Sequence, residues 1–423
     1  MTDPTTPAAV LATQLEKGAE IIVPKTGIQA KLSEAAKTNR PLRIKLGLDP
    51  TSPDLHLGHA VVLKKIRQFQ DAGHEVHIVV GDFTALIGDP SGRNVTRPAL
   101  TRAEIDANAE TYIAQVGKII DVSKAKIHRN STWLGKLTFE DIIKLLSGVT
   151  LAQILERNDF TTRYKGGTPI AMHELLYPVM QAYDSAMIDS DIELGGTDQL
   201  FNCMLGSDIQ QALARDIKQI VVCMPLLCGT DGVDKMSKSK KNYIGIFESA
   251  EDMYFKVMSL PDELIPEYIR LTTDFSVDKQ AELLASYEDG KENPMLIKKQ
   301  IAHNIATQYH DAGAADKAAE KFVQQVQSRD GEAKEYMQVA FKDIARTPSD
   351  NADTYTAVDL LVRLMEIAGE SVSNTEARKL IIAGAFKTLD RKIEDPYATV
   401  AVITTKMPVK LQIGKRNYFE IIS

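Results

Sequence analysis

Cysteine is scarce in this chain: its 423 residues hold only Cys203, Cys223 and Cys228. An odd, sparse set at this spacing suits neither a disulfide framework nor a zinc site, and reads as buried thiols. Long apolar runs are lacking too. The longest, Ile220 to Cys228, contains Pro225 and falls well short of the ~20 residues needed to cross a bilayer. Basic residues are missing from the start of the chain, where the first lysine is Lys17 and the first arginine Arg40. Without a basic n-region or an Arg-rich presequence, a cytoplasmic location with no membrane partner is expected. The string G-x-x-x-x-G-K-[ST] does not occur, which excludes a P-loop. No spacing of ligating residues suggests a metal cage, so no metal site of the protein's own is expected. Internal repeats and long low-complexity tracts are absent.

What is present is the composition of a soluble globular protein, 44% hydrophobic and 25% charged. Its length implies two or three domains. The net charge of −7 discourages a polyanionic partner at first sight. Its distribution says more: residues 355–423 hold ten Lys/Arg against eight Asp/Glu, a net of +2, which leaves −9 on the rest. A slightly basic tail on an acidic body fits local attraction to a polyanion.

Residues 1–40 read as a helical N-terminal arm ending near Asn39-Arg40-Pro41. From 41 to 245 strand and helix patterns alternate. Strands are expected at Leu42–Leu48, Val76–Val80, Lys126–His128, Ile188–Leu194 and Gln219–Met224. Helices are expected at Gly58–Gln70, with Val62, Ile66 and Phe69 on one face, and at Arg102–Ile120, opened by a Thr101/Glu104 capping box. Such alternation implies an α/β, Rossmann-like parallel sheet with ligands at the C-terminal ends of its strands. Residues 246–342 read as a helical domain and 343–354 as a polar, turn-rich linker. Residues 355–423 read as a small α+β domain: helices at Ala357–Ala368 and Asn374–Ala383, then strands at Val400–Thr404, Val409–Ile413 and Tyr418–Ile422.

Two short strings carry the chemistry. One is Pro50-Thr-Ser-Pro-Asp-Leu-His56-Leu-Gly58-His59, just after the first strand; the other is Lys235-Met-Ser-Lys238-Ser239, in a loop after a later one. Histidines three apart at a helix start share a face near the positive end of its dipole, where backbone N–H groups already favour a phosphate. Two loop lysines add flexible point charges. Singly, a surface histidine or a Lys/Ser loop is ordinary solvated surface. Together, in this order, they point to nucleotidyl transfer with ATP, and any Mg²⁺ would travel with the nucleotide.

These strings are the two signatures of class I aminoacyl-tRNA synthetases, and the chain resembles the bacterial tyrosyl-tRNA synthetases over nearly its whole length. The resemblance extends to Gly47-Leu-Asp49-Pro-Thr51, Gly88-Asp89-Pro-Ser-Gly-Arg93, Tyr177-Pro-Val-Met-Gln181-Ala-Tyr-Asp184 and Gly195-Gly-Thr-Asp198-Gln199. The tail around Asn374-Thr-Glu-Ala-Arg378-Lys379 is similar to an S4 RNA-binding domain. The resemblance implies tyrosine–tRNA ligation by a homodimer. Thr51, His56, His59, Lys235 and Lys238 would act on the phosphates. Pro50, Gly58, Gly196, Asp198, Met236, Ser237 and Ser239 would complete the ATP site. Tyr177, Gln181 and Asp89 would hold the α-amino group of L-tyrosine, Gln199 its carboxylate and Asp184 its phenolic hydroxyl, with Gly47 and Asp49 alongside. Arg93 and Arg97 would meet the acceptor end of tRNA(Tyr), and Arg378 and Lys379 its body.

Two positions depart from the better-known subgroup, which has tyrosine in place of Lys45 and glutamine in place of Glu193. Lys45 would either donate to the phenolic oxygen or pair with Glu193. A second subgroup carries the same Lys-Leu-Gly-Leu-Asp version. A tryptophan-specific synthetase, a paralogue that activates an amino acid without charging tRNA, and a catalytically silent RNA-binding protein are the alternatives. Asp184 and the S4-like tail favour tyrosine and RNA, and the intact histidines and lysines speak against a silent copy.

Overall fold

A computed structural model describes residues 7–51, 54–90, 101–215, 217–290, 292–327, 336–344, 354–388, 391–402, 408–414 and 417–422. The chain divides into two compact units, Met1–Asp316 and Lys317–Ser423. No helix among the described residues is long and apolar enough to cross a membrane.

The first unit is built on a six-stranded sheet: β1 (Ile21–Val23), β2 (Arg43–Leu48), β3 (Glu75–Val80), β4 (Ala125–Arg129), β5 (Ile192–Gly196) and β6 (Ile220–Met224), in the order β1-β6-β5-β2-β3-β4. Strands β2 to β6 run parallel, and β1 alone is antiparallel, on β6. All five residues of β6 are buried, as expected of a parallel strand covered on both faces. The chain winds one way from β2 through β3 to β4, then crosses back to β5 and β6. The switch between β2 and β5 opens a crevice at the carboxyl ends of the strands. The helix Leu57–Asp71 follows β2 and buries Ile66 and Phe69 completely. Thr101 and Glu104 form the expected capping box on the helix Arg102–Val116, with Thr101 N–H donating to Glu104 Oε2 at 2.8 Å.

Three differences from expectation bear on how the units are built. The N-terminal segment, read as helical throughout, holds helices Pro7–Glu16 and Gly27–Thr38 with β1 between them; three β-branched residues are too few to show a period of their own. Ile188 does not open a strand but closes the long helix Met172–Ile188. Asp189 then takes left-handed backbone (φ 52°), and β5 starts at Ile192. Within the segment read as helical to residue 342, Met337–Ala340 forms a strand.

That strand, β7, belongs to the second unit. There β8 (Thr354–Thr356), β9 (Phe386–Thr388), β10 (Lys392–Ile393), β11 (Thr399–Ala401), β12 (Val409–Ile413) and β13 (Asn417–Ile422) make a five-stranded sheet, β10-β9-β12-β13-β7, and a β11-β8 pair. Helices Ala357–Ile367 and Asn374–Ile382 share their core with the strands through Leu360, Leu364, Ile381, Phe386 and Phe419. This is an α+β fold.

Candidate active site

The crevice holds a cavity of about 450 Å³ lined from the ends of β2, β3, β5 and β6. Its depth comes from glycine. Along a strand, side chains two apart share a face, so Gly47 follows Lys45 on β2 and Gly195 follows Glu193 on β5. Gly47 has open space where a Cβ would stand. Each strand places a charge in the interior; β2 then leaves a gap above it, whereas on β5 a Cβ at Gly195 would lie 2.8 Å from Gln199 Cβ, so the bare glycine lets Gln199 pack against the strand. The helix Met172–Ile188 closes one wall with Tyr177, Gln181 and Asp184, whose spacing puts them on one face.

Asp184 is nearly inaccessible, at 3% exposure. Trp133 Nε1 donates to its Oδ1 at 2.7 Å and Asn130 Nδ2 to its Oδ2 at 3.2 Å, both from the turn that follows β4. Burial pushes its carboxyl up to about 6, against the pull of Lys45 and the two donors. Asp49, just past β2, accepts from Thr84 Oγ1 and from the Tyr177 hydroxyl, each at 2.8 Å. Burial, with the nearby charges of Asp89 and Asp184, raises it to about 7 despite those two bonds. Gly81 makes this arrangement possible, since a Cβ there would lie 1.9 Å from Asp49 Oδ1. Asp89 accepts from Gln199 Nε2 at 2.8 Å, and Gln199 is held in turn by Asn202 Nδ2 at 3.0 Å. Arg157, itself buried, donates to Asn202 Oδ1 at 3.1 Å and lies 3.7 Å from Asp89.

At the other end of the cavity the two histidine rings lie 3.9 Å apart. His56 caps the helix, and its backbone N–H donates to His59 Nδ1 at 3.2 Å. With Nδ1 accepting, the proton of neutral His59 sits on Nε2. Burial and the positive charge of Lys238 push His59 down to about 4, and burial with His59 and both lysines pushes His56 well below its ordinary value. Both rings are therefore neutral at physiological pH. Among the described residues, His56 Nδ1 is buried with no hydrogen-bond partner. A Cβ on Gly58 would lie 3.0 Å from that atom.

The lysine loop is organised by one amide. Asn242, 2% exposed, accepts from Ser237 N–H at 2.8 Å and donates to Asp231 Oδ2 at 2.8 Å and to the carbonyls of Asp234 and Lys235 at 3.3 Å. Lys235 Nζ donates to Asp198 Oδ2 at 2.6 Å, and Lys238 stands 5.8 Å over the ring of Tyr112.

Seventeen of the residues singled out by sequence line this cavity: Gly47, Asp49, Thr51, His56, Gly58, His59, Asp89, Tyr177, Gln181, Asp184, Gly196, Asp198, Gln199, Lys235, Met236, Ser237 and Ser239. Pro50 sits behind the wall, where its carbonyl accepts from Asn108. Lys45 is off the wall and turned to Glu193 at 2.8 Å, so of its two possible partners the structure has the carboxylate. Arg93 and Arg97 lie outside the described residues. Arg378 and Lys379 are on the helix Asn374–Ile382 of the second unit, with the Arg378 guanidinium 5.6 Å from the Tyr397 ring. Sequence reasoning missed Asn130, Trp133, Gly81, Arg157, Tyr112 and Asn242. Only Trp133, the sole tryptophan of the chain, offered a hint.

The family described as tRNA synthetases class I (W and Y) matches residues 37–327. A tyrosine–tRNA ligase 2 of Photorhabdus laumondii is 47% identical over 401 residues, covering 95% of this chain and 96% of its own. A tyrosine–tRNA ligase of Carboxydothermus hydrogenoformans is 44% identical, covering 98% and 99%. The fold is shared with two solved structures, each covering 74% of this chain. One is a C-terminally truncated mitochondrial tyrosyl-tRNA synthetase of Aspergillus nidulans (TM-score 0.61, 20% identity, 93% of its chain). The other is the tyrosyl-tRNA synthetase of Archaeoglobus fulgidus complexed with L-tyrosine (0.59, 22%, 99%). With both signatures meeting in one crevice at the switch of a parallel sheet, the chain belongs to the class I aminoacyl-tRNA synthetases, in their tyrosine–tRNA ligase branch.

Proposed function

We propose that the crevice activates L-tyrosine with ATP and that the tyrosyl group is then passed to the terminal adenosine of tRNA(Tyr). The observation that carries this reading is a single cavity with a buried, donor-held carboxylate at one end and neutral imidazoles and a lysine at the other. The phenolic hydroxyl donates to Asp184; phenylalanine would leave that buried carboxylate unpaired, and is rejected on that ground. The α-amino group lies among Tyr177, Gln181 and Asp89, and the carboxylate lies near Gln199.

The carboxylate is already ionised, so activation needs no general base. It attacks the α-phosphorus of ATP, the bond to the pyrophosphate oxygen breaks, and charge grows on the phosphoryl oxygens. Nε2–H of His59, the His56 ring, Thr51 and the two loop lysines stabilise that charge. Lys235 leaves Asp198 for the phosphates, which frees the carboxylate for the ribose. Mg²⁺ enters as the salt of the nucleotide. In the second step Arg93 and Arg97 guide the acceptor end, while Arg378 and Lys379 hold tRNA phosphates, so affinity falls as salt rises. A second copy of the chain would cover Phe139, Ile143, Leu151, Tyr164 and Met172, large apolar side chains left exposed on successive helices. The cytoplasm is where such an enzyme would meet its tRNA.

The test is amino-acid-dependent ATP–pyrophosphate exchange with tyrosine, phenylalanine and tryptophan side by side. Exchange with tyrosine alone is expected. Exchange with tryptophan in preference, or with none of the three from folded protein, overturns the reading.

A further inference from the structure

Lys45 and Glu193 are register partners across the seam where β2 meets β5, at 0% and 1% exposure. A buried ion pair is weak evidence for stability, because desolvation offsets most of its attraction. Its neighbours point to another use. Lys45 Nζ donates to Glu193 Oε1 at 2.8 Å, to Ser185 Oγ at 2.7 Å and to the backbone carbonyl of Gln181 at 3.0 Å. Glu193 accepts from Ser185 Oγ at 2.7 Å, from Gln181 Nε2 at 3.3 Å and from Gln219 Nε2 at 2.7 Å. Gln181 and Ser185 are one helical turn apart and bracket Asp184, and both Gln181 and Asp184 face the cavity. Neither Lys45 nor Glu193 does.

We infer that the Lys45–Glu193 pair is a positioning element for amino-acid specificity: through the turn Gln181–Ser185 it holds Asp184 toward the substrate and sets the field in which Asp184 carries its charge. The inference rests on the reading of Asp184 as the acceptor of the phenolic hydroxyl. The charged groups around Asp184 come from three places. Lys45 on β2 favours its ionised form and Glu193 on β5 opposes it; Asp49, beyond the end of β2, is coupled to Asp184 by like charge. From the turn after β4 come only the neutral donors Asn130 and Trp133. Behind Trp133 lie His128 and His77, both lowered by burial. Lys45 thus serves the hydroxyl without touching it.

The test uses the full-length enzyme and the variants Lys45→Met, Glu193→Gln and the double replacement. The quantity read is the ratio of kcat/KM for tyrosine to that for phenylalanine in pyrophosphate exchange, from pH 5 to 8.5. Groups acting only on the shared amino and carboxyl ends cancel in that ratio. Asp49, which is coupled to Asp184, is common to the wild type and all three variants, so it does not account for a midpoint difference between them. In the wild type it rises with pH as Asp184 ionises, with a midpoint near the value of about 6 to which its carboxyl is raised. Lys45→Met is expected to move the midpoint up by about one unit and Glu193→Gln to move it down by about one unit, with the double variant between. A merely structural pair would not shift it in opposite directions. If Lys45→Met does not fold, a downward shift in Glu193→Gln supports the inference and an unmoved midpoint overturns it. Single variants that shift the same way, or not at all, while thermal unfolding shows them folded, also overturn it. Absence of tyrosine exchange in the wild-type enzyme would instead strike the proposed function.

Discussion

Gly81→Ala adds one methyl group at a point where the structure has no room. The new Cβ would stand 1.9 Å from Asp49 Oδ1 and 2.3 Å from Thr84 Oγ1, where ordinary contact begins at 3.4 Å. Those two atoms are the ends of one hydrogen bond of 2.8 Å, so the methyl lands inside it. Asp49 must turn away, and in doing so it drops the Tyr177 hydroxyl as well. Hydrogen bonds to a charged group contribute ~1.5–3 kcal/mol each. With partial recovery by rearrangement, a loss of about 3 kcal/mol reaches the tyrosine site, or ~10²-fold in kcat/KM. The fold should survive: Gly81 is not among the positive-φ glycines, and overpacking of this kind costs ~1–3 kcal/mol. Pyrophosphate exchange read against tyrosine concentration, with thermal unfolding in parallel, checks it. Gly47→Ala is the control, because its methyl meets nothing in the protein and projects into the cavity; it should melt like the wild type and raise KM. A folded Gly81→Ala enzyme with wild-type KM and kcat for tyrosine would refute the account of Asp49.

His59→Ala should slow adenylate formation ~10²–10³-fold while leaving tyrosine affinity unchanged. Quenching of Trp133, the only tryptophan and a direct neighbour of Asp184, reads that affinity; activation at the normal rate would sink the phosphate role. Asp184→Asn should abolish selective tyrosine activation and yet stabilise the protein at neutral pH. The sign follows from the raised carboxyl, carried from 3.8 to about 6. As pH climbs through that interval the unfolded chain loses its proton before the native one, so wild-type stability falls and stays lower above it. The gain at pH 7.5 is at most about 3 kcal/mol and vanishes below pH ~4, as thermal melts at the two pH values would show. A variant no more stable at pH 7.5, or equally favoured at both, contradicts the burial argument.

Strands such as Glu75–Val80 and Ile220–Met224 were legible because a buried parallel strand is a near-continuous apolar run, unbroken in Ile220–Met224 and interrupted after Glu75 only by His77. The three-residue β1 and the two-residue β10 were not, since segments that short are stabilised by their neighbours and not by any period of their own. In the site, the motif residues could be read because they stand close together in sequence. Trp133 and Asn130 could not: they reach Asp184 from 51 and 54 positions away, and only the lie of β4 brings them near. Gly81 looks like any strand-end glycine until Asp49 is seen occupying the space of its missing side chain. The choice between two partners for Lys45 was decided by strand register, which places Glu193 opposite it. Side-chain chemistry alone left both open.

The short strand Ile21–Val23 has a consequence for handling the protein. It supplies the outer hydrogen bonds of Ile220–Met224, pairing Ile21 with Cys223 and Val23 with Val221. Without it, the wholly apolar segment Ile-Val-Val-Cys-Met would present a bare row of N–H and C=O groups along one side, a template on which other chains can stack. A chain trimmed past Val23 should therefore be lost to insolubility before any defect in catalysis could be seen, whereas an extension fused ahead of Pro7 leaves that seal in place.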